Sequence, residues 1–258
     1  MREENKISVV INTYNASRYL RQVLDAVKDF DELVVCDMES TDDTLAIARD
    51  YGCKIVTFPK GQHTIVEPAR NFAVQSATHP WVLVVDADEI ISPQLRQYLY
   101  RRIAEPNCPA GLFVPRINKF MGMDIRDFTP DYQLRFLRRE GADWPVYIHA
   151  IPKVAGPVER IKAKAYMYHL MDETMYENIS KLNQYTDNEV EKKAGKGYDV
   201  GALLWRPFWR FFRSYFLAGG FRMGKRGFIR ALLAAVYQYV LVAKIMERRM
   251  RSEQDAKF

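Results

Sequence analysis

Trp81-Val-Leu-Val-Val-Asp-Ala-Asp-Glu89 is a run of five apolar residues closed by two carboxylates one residue apart. Its density of Val and Leu, with Pro80 before it and charge after it, fits a strand buried on both faces better than a helix. Asp86 and Asp88 then sit at the carboxyl end of that strand. In an extended backbone residues i and i+2 share a side, so both carboxylates are expected to face one cation while Ala87 turns away. A hard divalent ion held by one or two carboxylates completes its shell with water and substrate phosphates. The pair is therefore a candidate phosphate-metal clamp.

The preceding chain repeats the same rhythm. Ile7 to Ile11 is β-branched and leads into the loop residues Asn12-Thr-Tyr-Asn15; Leu20, Val23, Leu24 and Val27 then fall at helical spacing behind Ser17, a candidate cap. Leu33 to Cys36 ends at Asp37 and is followed by Glu39-Ser-Thr-Asp-Asp-Thr44, where Ser40 or Thr41 is expected to cap a helix that stops at Gly52. Lys54 to Phe58 is a third strand, Glu67-Pro68 begins a third helix, and the opening stretch is the fourth strand. Alternating strands and helices predict a mostly parallel sheet covered on both faces. Ligands of such sheets bind outside the carboxyl ends of the strands, where Thr13, Asn15, Asp37, Asp86 and Asp88 recur. Neither a G-x-G-x-x-G turn nor a Walker-type loop follows the first strand, so metal and side chains are left to neutralise any phosphates.

After a helix from Pro93 to Ile103 the pattern changes. Leu112 to Ile117, Leu134 to Leu137, Val146 to Ile151 and Lys162 to Tyr168 are short strand-like runs, expected as antiparallel additions that wall an acceptor side. Asp172 is read as the cap of a helix reaching Lys193, and the glycines between Lys192 and Gly201 mark a linker. The expected organisation is a catalytic region over 1–195, with a nucleotide-sugar half (1–103) and an acceptor half (104–195), then a helical region over 196–258.

Charge separates these regions. Trp205 to Arg251 holds eleven Lys or Arg against the single acid Glu247, a local +10 that leaves −4 for the rest of a chain whose total is +6. Trp205, Phe208, Trp209, Phe212 and Phe216 form one aromatic helix face beside Arg206, Arg210 and Arg213. Gly219-Gly220 breaks that helix, and a second begins near Ile229. Only 13 uncharged residues separate Arg230 from Lys244, about 20 Å at ~1.5 Å per residue against a hydrocarbon core of ~30 Å. Helices lying in an anionic membrane surface are expected, with a core-closing pair or a dimer contact as the alternative. Basic residues mixed with bulky aromatics on helices do not describe a nucleic-acid module. Cys36, Cys53 and Cys108 have no paired spacing and read as reduced thiols of a cytosolic protein. The amino terminus has no apolar signal region, so export is not expected.

With these residues in view, the chain resembles the inverting glycosyltransferases of family 2, which have the GT-A fold, and more closely the branch of bacterial lipopolysaccharide core β-1,4-glucosyltransferases. The carrying motifs are Ser8-Val-Val-Ile-Asn-Thr-Tyr-Asn15, Leu33-Val-Val-Cys-Asp-Met-Glu-Ser-Thr-Asp-Asp-Thr44, Ala69-Arg-Asn71, Trp81 to Glu89, Gly156-Pro-Val158 and Tyr215-Phe-Leu-Ala-Gly-Gly-Phe221. The resemblance implies a Rossmann-like α/β sheet with a UDP-sugar donor and a saccharide or lipid-linked acceptor. Thr13, Asn15 and Asp37 would line the nucleotide pocket, Asp37 against uracil, and Arg70 would approach the base or phosphates. Asp86 and Asp88 would bind Mg²⁺ or Mn²⁺ on the diphosphate, Asp88 as the catalytic anchor. Relatives in that branch carry His-Glu where this chain has His149-Ala150; the general base is expected to be His149, or Asp131 or Asp143. His169, His63 and His79 read as structural or loop residues. A non-catalytic, membrane-docked nucleotide-sugar-binding or assembly protein is the rival reading. A sugar-phosphate nucleotidyltransferase is disfavoured because it would carry a Gly-rich basic loop at Asn12 to Asn15.

Overall fold

The computed structural model describes residues 3–61, 66–125, 131–146, 151–162, 164–193 and 195–255. In chain order its main elements are β1 (Ile7–Thr13), α1 (Ser17–Val27), β2 (Glu32–Asp37), α2 (Thr44–Asp50), β3 (Lys54–Thr57), α3 (Glu67–Ser76), β4 (Trp81–Asp86), β5 (Glu89–Ile91), α4 (Pro93–Ile103), β6 (Gly111–Ile117), β7 (Lys119–Phe120), β8 (Met123–Asp124), β9 (Asp131–Arg138), β10 (Val158–Arg160), β11 (Met167–His169), α5 (Met175–Lys193), α6 (Val200–Phe212) and α7 (Gly224–Asp255). They group into two compact units. One joins Met1–Asn118 with Pro130–Met171, the other Lys119–Thr129 with Asp172–Phe258. Helix α5, expected with the catalytic region, clusters in the second unit.

The first unit is built on a sheet in the order β3-β2-β1-β4-β9-β6-β11-β5, with β10 on β6. Strands β3, β2, β1 and β4 run parallel, and β9 turns antiparallel between β4 and β6. The mostly parallel, helix-flanked α/β sheet predicted from the sequence is the observed one. All seven residues of β1 are buried, because alternate side chains serve two layers. Ile7, Val9 and Ile11 pack with Leu20 and Leu24 of α1 and Leu95 and Leu99 of α4. Val10 faces the other way, toward Ala69, Ala73 and Val74 of α3.

Several local expectations shift. Ser17 is the first helical residue of α1 and makes no cap; its backbone N–H donates to Asp42, which also accepts from the Thr44 N–H at the start of α2. One carboxylate thus serves the positive ends of two helices, in place of the expected caps at Ser40 and Thr41. Thr174 caps α5 through a reciprocal pair of hydrogen bonds with Glu177, whereas Asp172 accepts from Gly122 N–H. Of the strand expected over 146–151, residues 147–150 lie outside the described residues and Val146 and Ile151 are not extended pairs. The run expected at Lys162 to Tyr168 contributes only its end, as β11. All three thiols are free. Burial, then the adjacent Asp37 charge, pushes Cys36 up to about 12, and burial pushes Cys53 and Cys108 up to about 11, so none is activated.

In the second unit α5 and α7 share a small core of Val190, Leu241 and Ile245. The Lys244 ammonium fastens it by donating to the Asn183 carbonyl and to Asp187. Gly219 takes φ +81°, and a Cβ on Gly227 would lie 1.8 Å from the Gly220 carbonyl oxygen. This close approach ends the aromatic helix and starts α7 at Gly224, five residues earlier than expected. Among the described residues one helix, Gly220–Gln254, is by length and composition long and apolar enough to cross a membrane; Lys244, held by α5, interrupts its apolar stretch. Helix α6 buries no residue. Its rings stack on one another instead, Trp205 on Trp209 with centroids 6.1 Å apart and Trp209 on Phe212 at 5.8 Å.

Candidate active site

The parallel register aligns the strand ends. Thr13 lies opposite Asp37, and Asn12 opposite Asp86. A cavity of about 670 Å³ opens there, and its wall includes Asn12, Thr13, Tyr14, Asn15, Lys60, Arg70, Asp86, Asp88 and His169. Size and position match a small-molecule site at the carboxyl edge of a parallel sheet. Asn12 sits on the central strand with both amide atoms buried and no well-formed hydrogen bond among the described residues.

Asp37 is placed differently from its expected role. It is 1% exposed and absent from the cavity wall, where Met38 appears instead. Its carboxylate accepts from the Thr13 hydroxyl (2.8 Å), the Ser40 hydroxyl (2.6 Å) and the Ser40 N–H (2.8 Å). The loop after β1 is stitched to the loop after β2 in turn: Asn15 N–H donates to Ser40, and Thr41 N–H donates to the Asn15 side-chain oxygen. Asn15 sits at φ +48°, a conformation its short polar side chain tolerates. The Ser-Thr-Asp-Asp segment is thus a brace that holds the cavity rim from behind.

Asp86 and Asp88 have opposite fates. Arg70, from α3, donates to Asp86 Oδ1 at 2.6 Å, and Arg135, from β9, pairs with both oxygens. Arg135 also reaches Glu89, which is fully buried and paired with Arg116; Arg116 in turn holds Asp131. Burial works against charge on Asp86, yet Arg135 and Arg70 hold its carboxyl well below the ordinary range. Asp88 lies in the turn past the end of β4, where the extended geometry that would have aligned it with Asp86 has already ended. Its Oδ2 stands 3.3 Å from Nε2 of His169. Antiparallel pairing of β11 with β5 sets His169 opposite Glu89, one residue from Asp88. Burial opposes protonation of His169, but the hydrogen bond and charge of Asp88 raise it above its ordinary 6.5.

This donor set fits a divalent cation on one carboxylate and one imidazole, both facing the cavity and each about a quarter exposed. The remaining positions of such an ion would fall to water and phosphate oxygens. No cluster of three or more ligating side chains exists among the described residues, and Asp86 is committed to its arginines. His169, read from the sequence as structural, is therefore the residue the site adds. His63 and His149 lie outside the described residues. Asp131 and Asp143 are in the walls of neither this cavity nor its neighbour. Although burial disfavours its charge, hydrogen bonds from Asn118 and Gln133 and the Arg116 charge keep the Asp131 carboxyl below its ordinary range, which makes it a poor proton acceptor.

A mostly parallel, helix-flanked sheet with a strand-end cavity and a cation-competent Asp-His pair defines a class of α/β ligand-binding fold, and the comparisons narrow it. Residues 8–151 match the model described as Glycosyl transferase family 2, so the chain belongs to that family. It is 29% identical over 262 residues to the Rhizobium meliloti lipopolysaccharide core biosynthesis glycosyltransferase LpsC, covering 94% of this chain and 92% of LpsC. An uncharacterized glycosyltransferase of Rickettsia conorii is 26% identical over 269 residues, covering 96% and 92%. Among solved structures, S. aureus TarS 1-349 in complex with UDP-GlcNAc superposes with a TM-score of 0.52 at 16% identity, covering 96% of this chain and 92% of that one. The expected GT-A fold is the observed fold.

Proposed function

We propose that the chain is an inverting, metal-dependent hexosyltransferase that moves a sugar such as glucose from a UDP-sugar to a saccharide or lipid-linked acceptor in cell-envelope glycan assembly. The observation that carries this reading is the Asp88-His169 pair beside Arg70 in the strand-end cavity of a family 2 chain. The likeness to the lipopolysaccharide core biosynthesis glycosyltransferase LpsC supports the envelope pathway, and the likeness to TarS in complex with UDP-GlcNAc supports the UDP donor. The finer β-1,4-glucosyl assignment rests on the motif resemblance.

The reaction breaks the bond between sugar C1 and the diphosphate oxygen while an acceptor hydroxyl attacks from the opposite face; the proton passes to a base and UDP leaves. Mg²⁺ or Mn²⁺ held by Asp88 and His169 would supply positive charge to the departing diphosphate. Arg70, held by Asp86 in the cavity wall, would place a guanidinium charge beside the diphosphate. Tyr14 carries Lys60 4.4 Å above its ring on the same wall, a surface suited to a planar base. His149 is the proposed base, a role typically worth about 10² to 10⁴ in rate.

The second unit is proposed to hold the enzyme on the anionic cytoplasmic face of the inner membrane. Trp205 and Phe208 are each 61% exposed and Leu204 74%, with Arg206 and Arg210 on the same short helix and Arg213 at its C-terminal cap; aromatic rings flanked by guanidinium groups suit the headgroup layer. A homo-oligomer through these helices is the second use of that face.

Screening nucleotide-sugars with Mn²⁺ for thermal stabilisation, then assaying transfer with the best donor, tests the reading. Stabilisation by a UDP-sugar with turnover is expected; no response to any nucleotide-sugar would overturn it.

A further inference from the structure

Within the second unit a small cleft of about 200 Å³ is walled by Trp205, Arg206, Trp209, Arg210 and Arg213 together with Gln238 of α7. Arg206, Arg210 and Arg213 recur at intervals of four and three, so a single stripe of α6 and its cap carries all three guanidinium groups. Trp205 and Trp209 form the stripe beside it, one ring stacked on the other. Arg206 is fixed from two sides: its guanidinium carbon lies 5.0 Å from the centre of the Tyr198 ring, and its Nη2 donates to Gln238 Oε1 at 3.4 Å. Among the described residues the wall holds three cations and no carboxylate.

Elsewhere in the unit cations are matched. Lys244 pairs with Asp187, Arg249 with Glu253 and Arg251 with Glu247. A larger cavity of about 550 Å³ shares Arg210 and Gln238 with the cleft, and there Lys181 pairs with Glu173 and Lys193 with Glu189, which leaves Arg210 uncompensated among the described residues. Like charges on successive helical turns repel one another. Guanidinium forks match the oxygens of a phosphate, so such a group would relieve the repulsion and accept their hydrogen bonds. The cleft is smaller than the ~300–1,000 Å³ of a whole small-molecule site and suits one phosphate with little attached. The same two helices expose apolar side chains, Leu204 and Phe208 of α6 and Leu232 and Val236 of α7. A free phosphate covers none of these, whereas the acyl chains of a lipid phosphate do.

We propose that this cleft binds the phosphate of an anionic lipid headgroup, received by Arg210 and Arg213 beside the anchored Arg206. The second unit then docks through a discrete phosphate site and not through its net charge alone. The proposal rests on the membrane reading above and names the lipid group that reading left open.

Flotation of the full chain at fixed ionic strength, with phosphatidylcholine vesicles that contain or lack phosphatidylglycerol, tests it. Arg210→Gln with Arg213→Gln is expected to lower the partition onto phosphatidylglycerol vesicles about tenfold, since charge-assisted hydrogen bonds are lost. Lys225→Gln with Arg248→Gln removes two exposed cations of α7, the same change in net charge, and is expected to lower it only about twofold through screened attraction. All four positions are exposed, so each variant is expected to melt near the unmodified chain. Equal losses in the two pairs, or equal binding of the unmodified chain to both kinds of vesicle, would overturn the site while leaving the membrane reading in place. No binding to either vesicle would overturn the membrane reading itself. Inorganic phosphate titrated calorimetrically into the full chain is expected to give no saturable heat; saturable binding that is lost in Arg210→Gln with Arg213→Gln would assign the cleft to a free phosphate and overturn the lipid.

Discussion

The parallel half of the sheet and its mixed half, where β9 is antiparallel to its neighbours but β10 and β11 run parallel to β6, contribute to the site in different ways. Strands β1, β2 and β4 deliver a row of short polar residues at one edge, fixed by register alone. Strands β9, β6 and β11 deliver Arg135, Arg116 and His169, long or ionisable side chains that reach across to the end of β4. The difference separates two carboxylates that look equivalent in sequence. Asp86, still within the strand, is captured by arginines from both α3 and β9; Asp88, just past it, is left to the cavity with a histidine. The site is thus made where the two halves meet, one half supplying the scaffold and the other deciding which acid is free.

That contrast breaks first at Asp88. Asp88→Ala is expected to lower sugar transfer by about 10²–10³, the loss typical of removing one transition-state charge contact, with a melting temperature near that of the unmodified chain. Asp86→Ala should do the reverse in stability: it leaves Arg70 and Arg135 buried without their partner, a loss of about 3 kcal/mol measured by denaturant unfolding. Equal melting temperatures for the two variants would dissolve the distinction.

His169 sharpens it. Because its folded value lies above 6.5, the stabilising charged pair with Asp88 is complete below about pH 6.5 and fades as pH rises through the folded value. The neutral imidazole needed for a metal appears over the same span, so Mn²⁺ affinity should rise with pH there. His169→Gln should weaken Mn²⁺ binding about tenfold and flatten that pH dependence, read by calorimetry at several pH values. The smallest expected effect on chemistry lies in the second unit. Trp205→Ser with Trp209→Ser should reduce flotation with anionic liposomes about tenfold or more, given ~1.5–3 kcal/mol for each buried large side chain, and leave transfer to a water-soluble acceptor unchanged.

The parallel half was legible because strands buried on both sides must be continuous apolar runs, and such runs end visibly at Asn12, Asp37 and Asp86. The pairing of distant strands was not. Arg135 meets Asp86 across 49 residues and His169 meets Asp88 across 81, and no local period records either encounter. One sign was present: Leu134-Arg-Phe-Leu137 places a guanidinium inside a strand-like apolar run, which requires a buried acid partner. Asp37 shows the opposite limit. Its position at the edge was readable, but not that Thr13 and Ser40 would consume its carboxylate. The aromatic face was legible as far as Phe212, since helical spacing sets it; Phe216 lies past the end of α6, in the π-helical turn Arg213–Leu217 that the spacing does not foretell.

The central claim is that Asp88, with His169, joins a cation to the diphosphate of a UDP-sugar. Calorimetric titration of UDP with and without Mn²⁺, on the unmodified chain and on Asp88→Ala, addresses it most directly. Binding that requires Mn²⁺ and vanishes in Asp88→Ala is the predicted result. UDP binding of equal strength without metal, or unchanged by Asp88→Ala, would contradict it.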